Sequence, residues 1–319
     1  MNKKVKIFLL LCMFCLPQLW AEKILIVRPD LEQFEKVADK TKAELGKQVS
    51  FETLLLEKDS NYEDFEVAVR KAKPDLLLLL DNKAVNYAMQ FNKEADAYAK
   101  GLRGVAAMAL NMRNILAESP NICGVEYEVP AYSLFTQYRN LTTKDLNKIL
   151  VFYRKSPHQK LIDETRSQLK LEKIELVAIN VEKETKDETI RNVKAVVKRE
   201  SKRKDIDVIW VMPDNVIVNN STIRSWVRAA GKHEKPFVST IDFLVSKMDF
   251  CAYATAPNLK TLSLQLSDMC IAILEDGESP NELGVEYIRS VHRIVNARKF
   301  RKMRIKLDAE QLKHCEVVR

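Results

Sequence analysis

Two stretches of this sequence set a carboxylate beside an amide just past an apolar run. Asp81-Asn82 follows Leu76 to Leu80, and Asp214-Asn215 follows the run Asp207 to Met212 and then Pro213. A carboxylate receives a ligand ammonium group in a charge-assisted hydrogen bond. An amide both donates and accepts, so it sorts functional groups. The free N–H groups of a helix starting just beyond can hold a ligand carboxylate. Asp and Asn in such places are also ordinary helix caps and turn formers. The recurrence of the pair at equivalent places in two halves of the chain is what favours ligand contact, above all for Asp214 and Asn215.

Aromatic residues accompany these pairs. Tyr153 and Arg154 follow a second apolar run, and Tyr132 and Phe135 lie near the middle of the chain. An aromatic plate with a few polar groups is the usual lining of a small-ligand cleft. Asn111 and Asp242 complete the set of expected ligand contacts, with Tyr132 and Tyr153 as packing surfaces.

The elements that must position these residues are legible as alternating apolar strands and helical patterns. Lys23 to Val27, Val49 to Leu56, Leu76 to Leu80 and Gly104 to Ala109 read as strands. Helical spacing separates them over Leu31 to Leu45, Tyr62 to Lys73 and Ala84 to Asn92. The pattern then restarts. Strands at Lys148 to Tyr153, Ile174 to Ile179, Asp207 to Met212 and Pro236 to Ser239 alternate with helices at Pro157 to Leu169, Asp187 to Glu200 and Ser221 to Lys232. Two runs of strand–helix units predict an α/β chain of two doubly wound parallel-sheet lobes. Ligands of such sheets bind at the carboxyl ends of the strands, where both Asp-Asn pairs fall.

Several chemistries are absent from the sequence. Only 7 glycines occur. They form no dinucleotide fingerprint, no nucleotide phosphate loop and no nucleophile elbow. The 4 histidines, His158, His233, His292 and His314, form no close metal pair and are expected to be exposed helix or loop residues. No two carboxylates are paired for acid–base work. No enzyme, metal or cofactor is therefore expected.

The amino terminus reads as an export signal. Lys3, Lys4 and Lys6 precede an apolar stretch from Ile7 to Leu16, Pro17 breaks it, and Ala21 offers a small residue for cleavage before Glu22. The stretch is too short to span a bilayer. Cys12 and Cys15 lack the small preceding residues of a lipid-modified cysteine, so the expected destination is a periplasm. The net charge of +8 falls to +5 when the three leader lysines are removed. The remaining basic residues alternate with acids, as over Lys198 to Asp205, and suit a solvated helix face rather than nucleic acid. Four cysteines remain: Cys123, Cys251, Cys270 and Cys315. No C-x-x-C pair offers a zinc site. The first three sit in apolar stretches and read as buried small hydrophobes, with one disulfide permitted in an oxidising compartment.

The order of elements and several motifs resemble the substrate-binding proteins of ABC transporters, in the family that includes tryptophan- and tyrosine-binding members. The matching stretches are Lys73-Pro74-Asp75, Asn121 to Val125, Val129-Pro130, Lys148 to Tyr153, Asp207 to Trp210 with Pro213-Asp214-Asn215, Lys235 to Val238, Ile273 to Pro280, and Ile294 to Asn296. The resemblance implies a type I periplasmic binding fold whose two lobes are joined by a hinge and close around one small molecule. It implies three passages between lobes, near Pro130, Pro257 and Tyr287. The expected divisions are 1–21 for the signal, 22–130 with 258–286 for the first lobe, and 131–257 with 287–319 for the second. The implied role is import by a monomeric receptor beside a membrane permease and an ATPase. A periplasmic sensor serving a membrane receptor or signalling enzyme is the alternative.

The sequence departs from the family where ligands dock. Family members carry a small hydroxyl residue, often followed by Pro-Ala, after the third strand; here stands Asp81-Asn82-Lys83. A Gly-Ala pair expected after the Lys235-Pro236 strand is replaced by Lys247-Met248-Asp249. Pro257-Asn258-Leu259 stands where a glycine precedes the late helix. An acid at position 81 repels a carboxylate, so the ligand is expected to differ from an ordinary amino acid, or the site to be degenerate. If Asp214 meets a ligand cation in an open cleft, it is hydrated when the protein is empty.

Overall fold

The computed structural model describes residues 22–318. The expected signal and its cleavage before Glu22 lie outside the described residues. The chain divides into two compact units. One holds residues 22–126 together with Leu262–Glu286, and the other holds Tyr127–Thr261 with residues 287–318.

The first unit is built on β1 (Glu22–Pro29), β2 (Val49–Leu56), β3 (Leu76–Leu80), β4 (Arg103–Ala107) and β5 (Ile122–Glu126). Their order across the sheet is β2-β1-β3-β4-β5, with the short strand β11 (Val285–Tyr287) beyond β5. The pairings β1–β2, β1–β3, β3–β4 and β4–β5 are all parallel. The five leucines of β3 are all buried, as a central strand covered on both faces requires. The helix Tyr62–Ala72 begins with a capping box, in which Asn61 and Asp64 each accept the other's backbone N–H. It ends where Lys73 turns left-handed ahead of Pro74.

The second unit repeats the plan with β6 (Lys148–Tyr153), β7 (Glu175–Asn180), β8 (Val208–Val211), β9 (Phe237–Ser239) and β10 (Tyr253–Pro257). Their order is β7-β6-β8-β9-β10, so β6 and β8 stand to this sheet as β1 and β3 stand to the first. Beyond β10 lie β12 (Val291–Asn296) and β13 (Glu316–Val318). The pairing of β10 with β12 is antiparallel. The two expected parallel-sheet lobes are thus present, and the second carries β12 and β13, parallel to each other, in the reverse sense at one side of its sheet. Trp226 anchors one face of this sheet against Phe152, Phe237 and Phe250, and its indole N–H donates to the Ile217 carbonyl at 3.0 Å.

Both sheets follow the doubly wound order in which the chain leaves the central strand in opposite directions. The crevice at this reversal, at the carboxyl ends of the two strands that flank it, is the general ligand position of such sheets. In the first unit those strands are β1 and β3, and in the second they are β6 and β8.

Cys123, Cys251 and Cys270 are buried and Cys315 is half-buried, all four as free thiols. Burial pushes the Cys123 thiol up to about 12 and raises Cys251 and Cys270 as well. Among the described residues no helix is long and apolar enough to cross a membrane, and no three His, Cys, Asp or Glu side chains gather as a metal site.

Candidate functional site

In the second unit the carboxyl end of β6 passes directly into Arg154, which precedes the helix Lys155–Leu171. The end of β8 leads through Pro213 to Asp214. Arg154 Nε donates to Asp214 Oδ2 at 2.7 Å, and His158 Nε2 lies 3.0 Å from the same oxygen. The other oxygen, Oδ1, accepts the backbone N–H groups of Val216 at 2.7 Å and Ile217 at 3.1 Å. The Asp214 side chain is 0% exposed. Burial raises its carboxyl pKa, but the bonds from His158 and Arg154 and from the Val216 amide outweigh burial and hold it at about 2.

Two expectations are corrected here. Asp214 is not a hydrated carboxylate awaiting a ligand cation, because its two oxygens already take four internal contacts. His158 is not an exposed helix residue but a buried partner of Asp214. It lies in the first turn of the helix that starts where β6 ends, beside the turn that follows β8.

Asn215 is exposed, and its carbonyl accepts from Asn219 Nδ2 at 3.2 Å. Tyr153 is buried, and its hydroxyl donates to Gln159 Oε1 at 3.0 Å. Asp242 is exposed and caps the short helix Phe243–Ser246 through the Phe243 N–H at 2.7 Å. Burial, and then the Asp242 charge, push the nearby Tyr127 phenol up to about 12. An open depression of about 600 Å³ flanks the same strand ends, lined by Ser156, Gln159, Asn180 and Glu182 among others.

Tyr132 is elsewhere. Its hydroxyl donates to Glu172 Oε1 at 3.0 Å, where Arg139 also binds. Glu172 closes the far end of the helix that Arg154 opens. Seventeen helical residues span about 25 Å at the usual rise of about 1.5 Å per residue. The structure therefore separates Tyr132 from Tyr153, Asp214 and Asn215, contrary to the expectation that they neighbour one another.

In the first unit Asp81 adopts φ 115°, a conformation that a residue with a Cβ holds only when its surroundings enforce it. Its carboxylate accepts the backbone N–H groups of Lys83 and of Ala84, so it caps the helix Asn82–Phe91. Asn82 clamps the loop after β4, donating to the Leu110 carbonyl at 2.8 Å and accepting the Leu110 N–H at 2.9 Å. Lys83 Nζ donates to the Glu57 carbonyl at 2.9 Å and so ties in the loop after β2. Asn111 is left-handed at φ 60°, and its Oδ1 accepts from Asn114 Nδ2 at 2.5 Å. Asp81, Asn82 and Asn111 thus gather around the carboxyl ends of β3 and β4, where these hydrogen bonds brace loops.

Two cationic residues stand at the reversal points: Arg154, seen in the sequence beside Tyr153 but not counted among the expected ligand contacts, and Arg28, which the sequence does not single out. Arg28 stands at the end of β1 as Arg154 stands at the end of β6. The signal was present as the parallel runs Lys23-Ile24-Leu25-Ile26-Val27-Arg28 and Lys148-Ile149-Leu150-Val151-Phe152-Tyr153-Arg154. Arg28 is buried. Its Nη1 donates to the Pro29 carbonyl at 3.0 Å, its Nη2 lies 3.7 Å from Glu35, and its Nε has no hydrogen-bond partner among the described residues.

Comparison with known proteins agrees with this architecture. One similar structure is the ABC domain in complex with L-Trp from Streptococcus pneumonia, at 14% identity and TM-score 0.64, covering 93% of this chain and 99% of that one. Another is the ligand-free, open structure of a substrate binding protein with adhesive properties from Clostridium difficile, at 16% identity and TM-score 0.70, covering 93% and 99%. A third is a periplasmic ribose ABC transporter protein from Conexibacter woesei, at 15% identity and TM-score 0.56, covering 92% and 97%. At these identities the likeness establishes the fold, that of type I periplasmic binding proteins. No curated protein matches the chain in sequence. Residues 108–318, about two thirds of the chain, match the family described as ABC transporter substrate binding protein. With that match and two doubly wound units, each with charged and polar side chains at its chain-reversal point, the chain belongs to the ABC transporter substrate-binding protein family.

Proposed function

We infer that this protein is an exported solute receptor that holds one small molecule against the carboxyl ends of its strands and delivers it to an ABC permease. The family match over residues 108–318 is the observation that carries the reading. Two features of the chain support it. Each unit places polar side chains at the reversal point of its sheet, and the amino terminus has the lysines, apolar stretch and Ala21 of a cleaved export signal. The solved relative with L-Trp makes small polar or aromatic molecules the first class to try. The proposed action is closure of the two units on the ligand without covalent chemistry, the protein working as a periplasmic monomer.

Small-angle scattering tests this reading. The radius of gyration of the mature protein should fall when a compound that stabilises it is added at saturation, as hinge closure requires. An unchanged radius with the ligand bound would remove closure from the account.

A further inference from the structure

We propose that the ligand is a small organic acid whose anionic group is seated on the free edge of Arg154. The inference rests on the solute-receptor reading and adds the ligand's chemical class. It starts from how the Arg154 side chain is spent. Only Nε is committed, to Asp214. Neither terminal nitrogen meets an acceptor among the described residues, and the side chain keeps 25% of its surface open. Asp214 is itself fixed by His158 and by two backbone N–H groups. The guanidinium is therefore aimed by a buried, rigid carboxylate while its two Nη groups stay available. That fork matches a carboxylate or phosphate in a two-pronged hydrogen bond.

Position separates this from an ordinary surface ion pair. Arg154 closes β6 and Asp214 follows β8, the two strands at the reversal point of the sheet, where doubly wound sheets take ligands. The same placement recurs independently in the other unit. Arg28 closes β1 and is buried, yet its Nε has no partner. A buried donor without an acceptor is uncommon in a folded protein, and a water or a bound group can supply the partner. The Asp81 charge is offset in part by the helix N-terminus that its Oδ1 caps. Likewise Asp214, the acid beside Arg154, is already neutralised and cannot serve a ligand ammonium group.

The test is a thermal-shift series on the mature protein, followed by calorimetric titration. One arm holds succinate, glutarate, benzoate, phenylacetate and inorganic phosphate. A second holds the matching amides, succinamide and benzamide, with uncharged sugars. A third holds amines. The expected result is stabilisation by at least one anion, with its amide binding at least about tenfold more weakly. Arg154→Lys keeps a cation beside Asp214 but lacks the fork, and should weaken the same anion about tenfold while the circular dichroism spectrum stays that of the parent. Phosphate binding without any carboxylate would assign the seat to phosphorylated solutes. Stabilisation by amides, sugars or amines alone would overturn the acid proposal and leave the solute-receptor reading standing. So would full affinity in Arg154→Lys. No stabilisation in any arm would count against both.

Discussion

Arg154 Nε donates to Asp214 Oδ2 at 2.7 Å across the reversal point between β6 and β8. The contact joins the residue that ends one strand to the turn that follows its neighbour. Asp214 is fully buried, and His158 and two backbone N–H groups take the rest of its hydrogen-bonding capacity. The network therefore fixes the strand-end loops of the second unit whether or not a ligand is present.

Asp214→Asn should destabilise the empty protein. An amide keeps the cap but leaves the partly exposed Arg154 without its counter-charge, and losing hydrogen bonds to a charged group costs about 1.5–3 kcal/mol. Trp210 and Trp226 both belong to the second unit, so tryptophan fluorescence during urea unfolding of the mature protein reports on that unit. The unfolding midpoint should move to markedly lower urea. An unchanged midpoint would mean that Asp214 acts only as a cap, since Asn and Asp cap about equally well.

The same carboxylate sets an acid limit. Its folded pKa is held at about 2, below the usual 3.8. The group then binds fewer protons when folded than unfolded between those values. Its stabilisation is complete above about pH 4 and is lost as pH falls through about 2. The full contribution is about 2 kcal/mol. Asp205, also held at about 2 through its bond to Arg203, titrates in the same window. Stability measured between pH 5 and 2 should fall more steeply in the parent than in Asp214→Asn. Equal slopes would assign the acid sensitivity to Asp205 and other groups.

Gly124 sits where β5 presses on β4. A Cβ there would meet the Ala106 carbonyl oxygen at 2.2 Å and the Met112 sulfur at 2.9 Å. The backbone must move to admit it, so Gly124→Ala should cost about 1–3 kcal/mol. The melting temperature of the mature protein should drop by several degrees. An unchanged melting temperature would contradict the packing of these strands.

The thiols should divide three to one. Burial raises the pKa of all four thiols, but Cys123, Cys251 and Cys270 are buried whereas Cys315 is half-buried at the carboxyl-terminal edge. The thiolate is the reactive form. A thiol reagent at pH 8 should label Cys315 first and the other three only in denaturant, as read by mass spectrometry. Rapid labelling of Cys251 in the folded protein would contradict the core.

The strands were legible because they are short apolar runs bounded by turn residues. Val49–Leu56, Leu76–Leu80 and Lys148–Tyr153 begin and end where the residue pattern does. The structure adds the helix Ala131–Leu141, whose start carries no capping side chain. It also adds the late strand Val291–Asn296, whose reversed pairing with β10 depends on contacts distant in sequence. The site was legible in part. Strand-end Asp-Asn pairs are visible in the sequence, but their neighbours are not. That Asp214 meets Arg154 and His158, 60 and 56 residues away, follows only from the strand order. That Tyr132 points to the opposite end of a helix likewise needs the fold.

The central claim, that this protein binds a small solute, is tested most directly by a thermal-shift screen of the mature protein against amino acids, nucleosides, amines, sugars and organic acids. Ligand at about 100 times its dissociation constant adds about 2.7 kcal/mol to stability, which is readily seen as a rise in melting temperature. The account predicts that one chemical class raises the melting temperature in a saturable way, with the organic acids leading. A melting temperature unmoved by every class would contradict it.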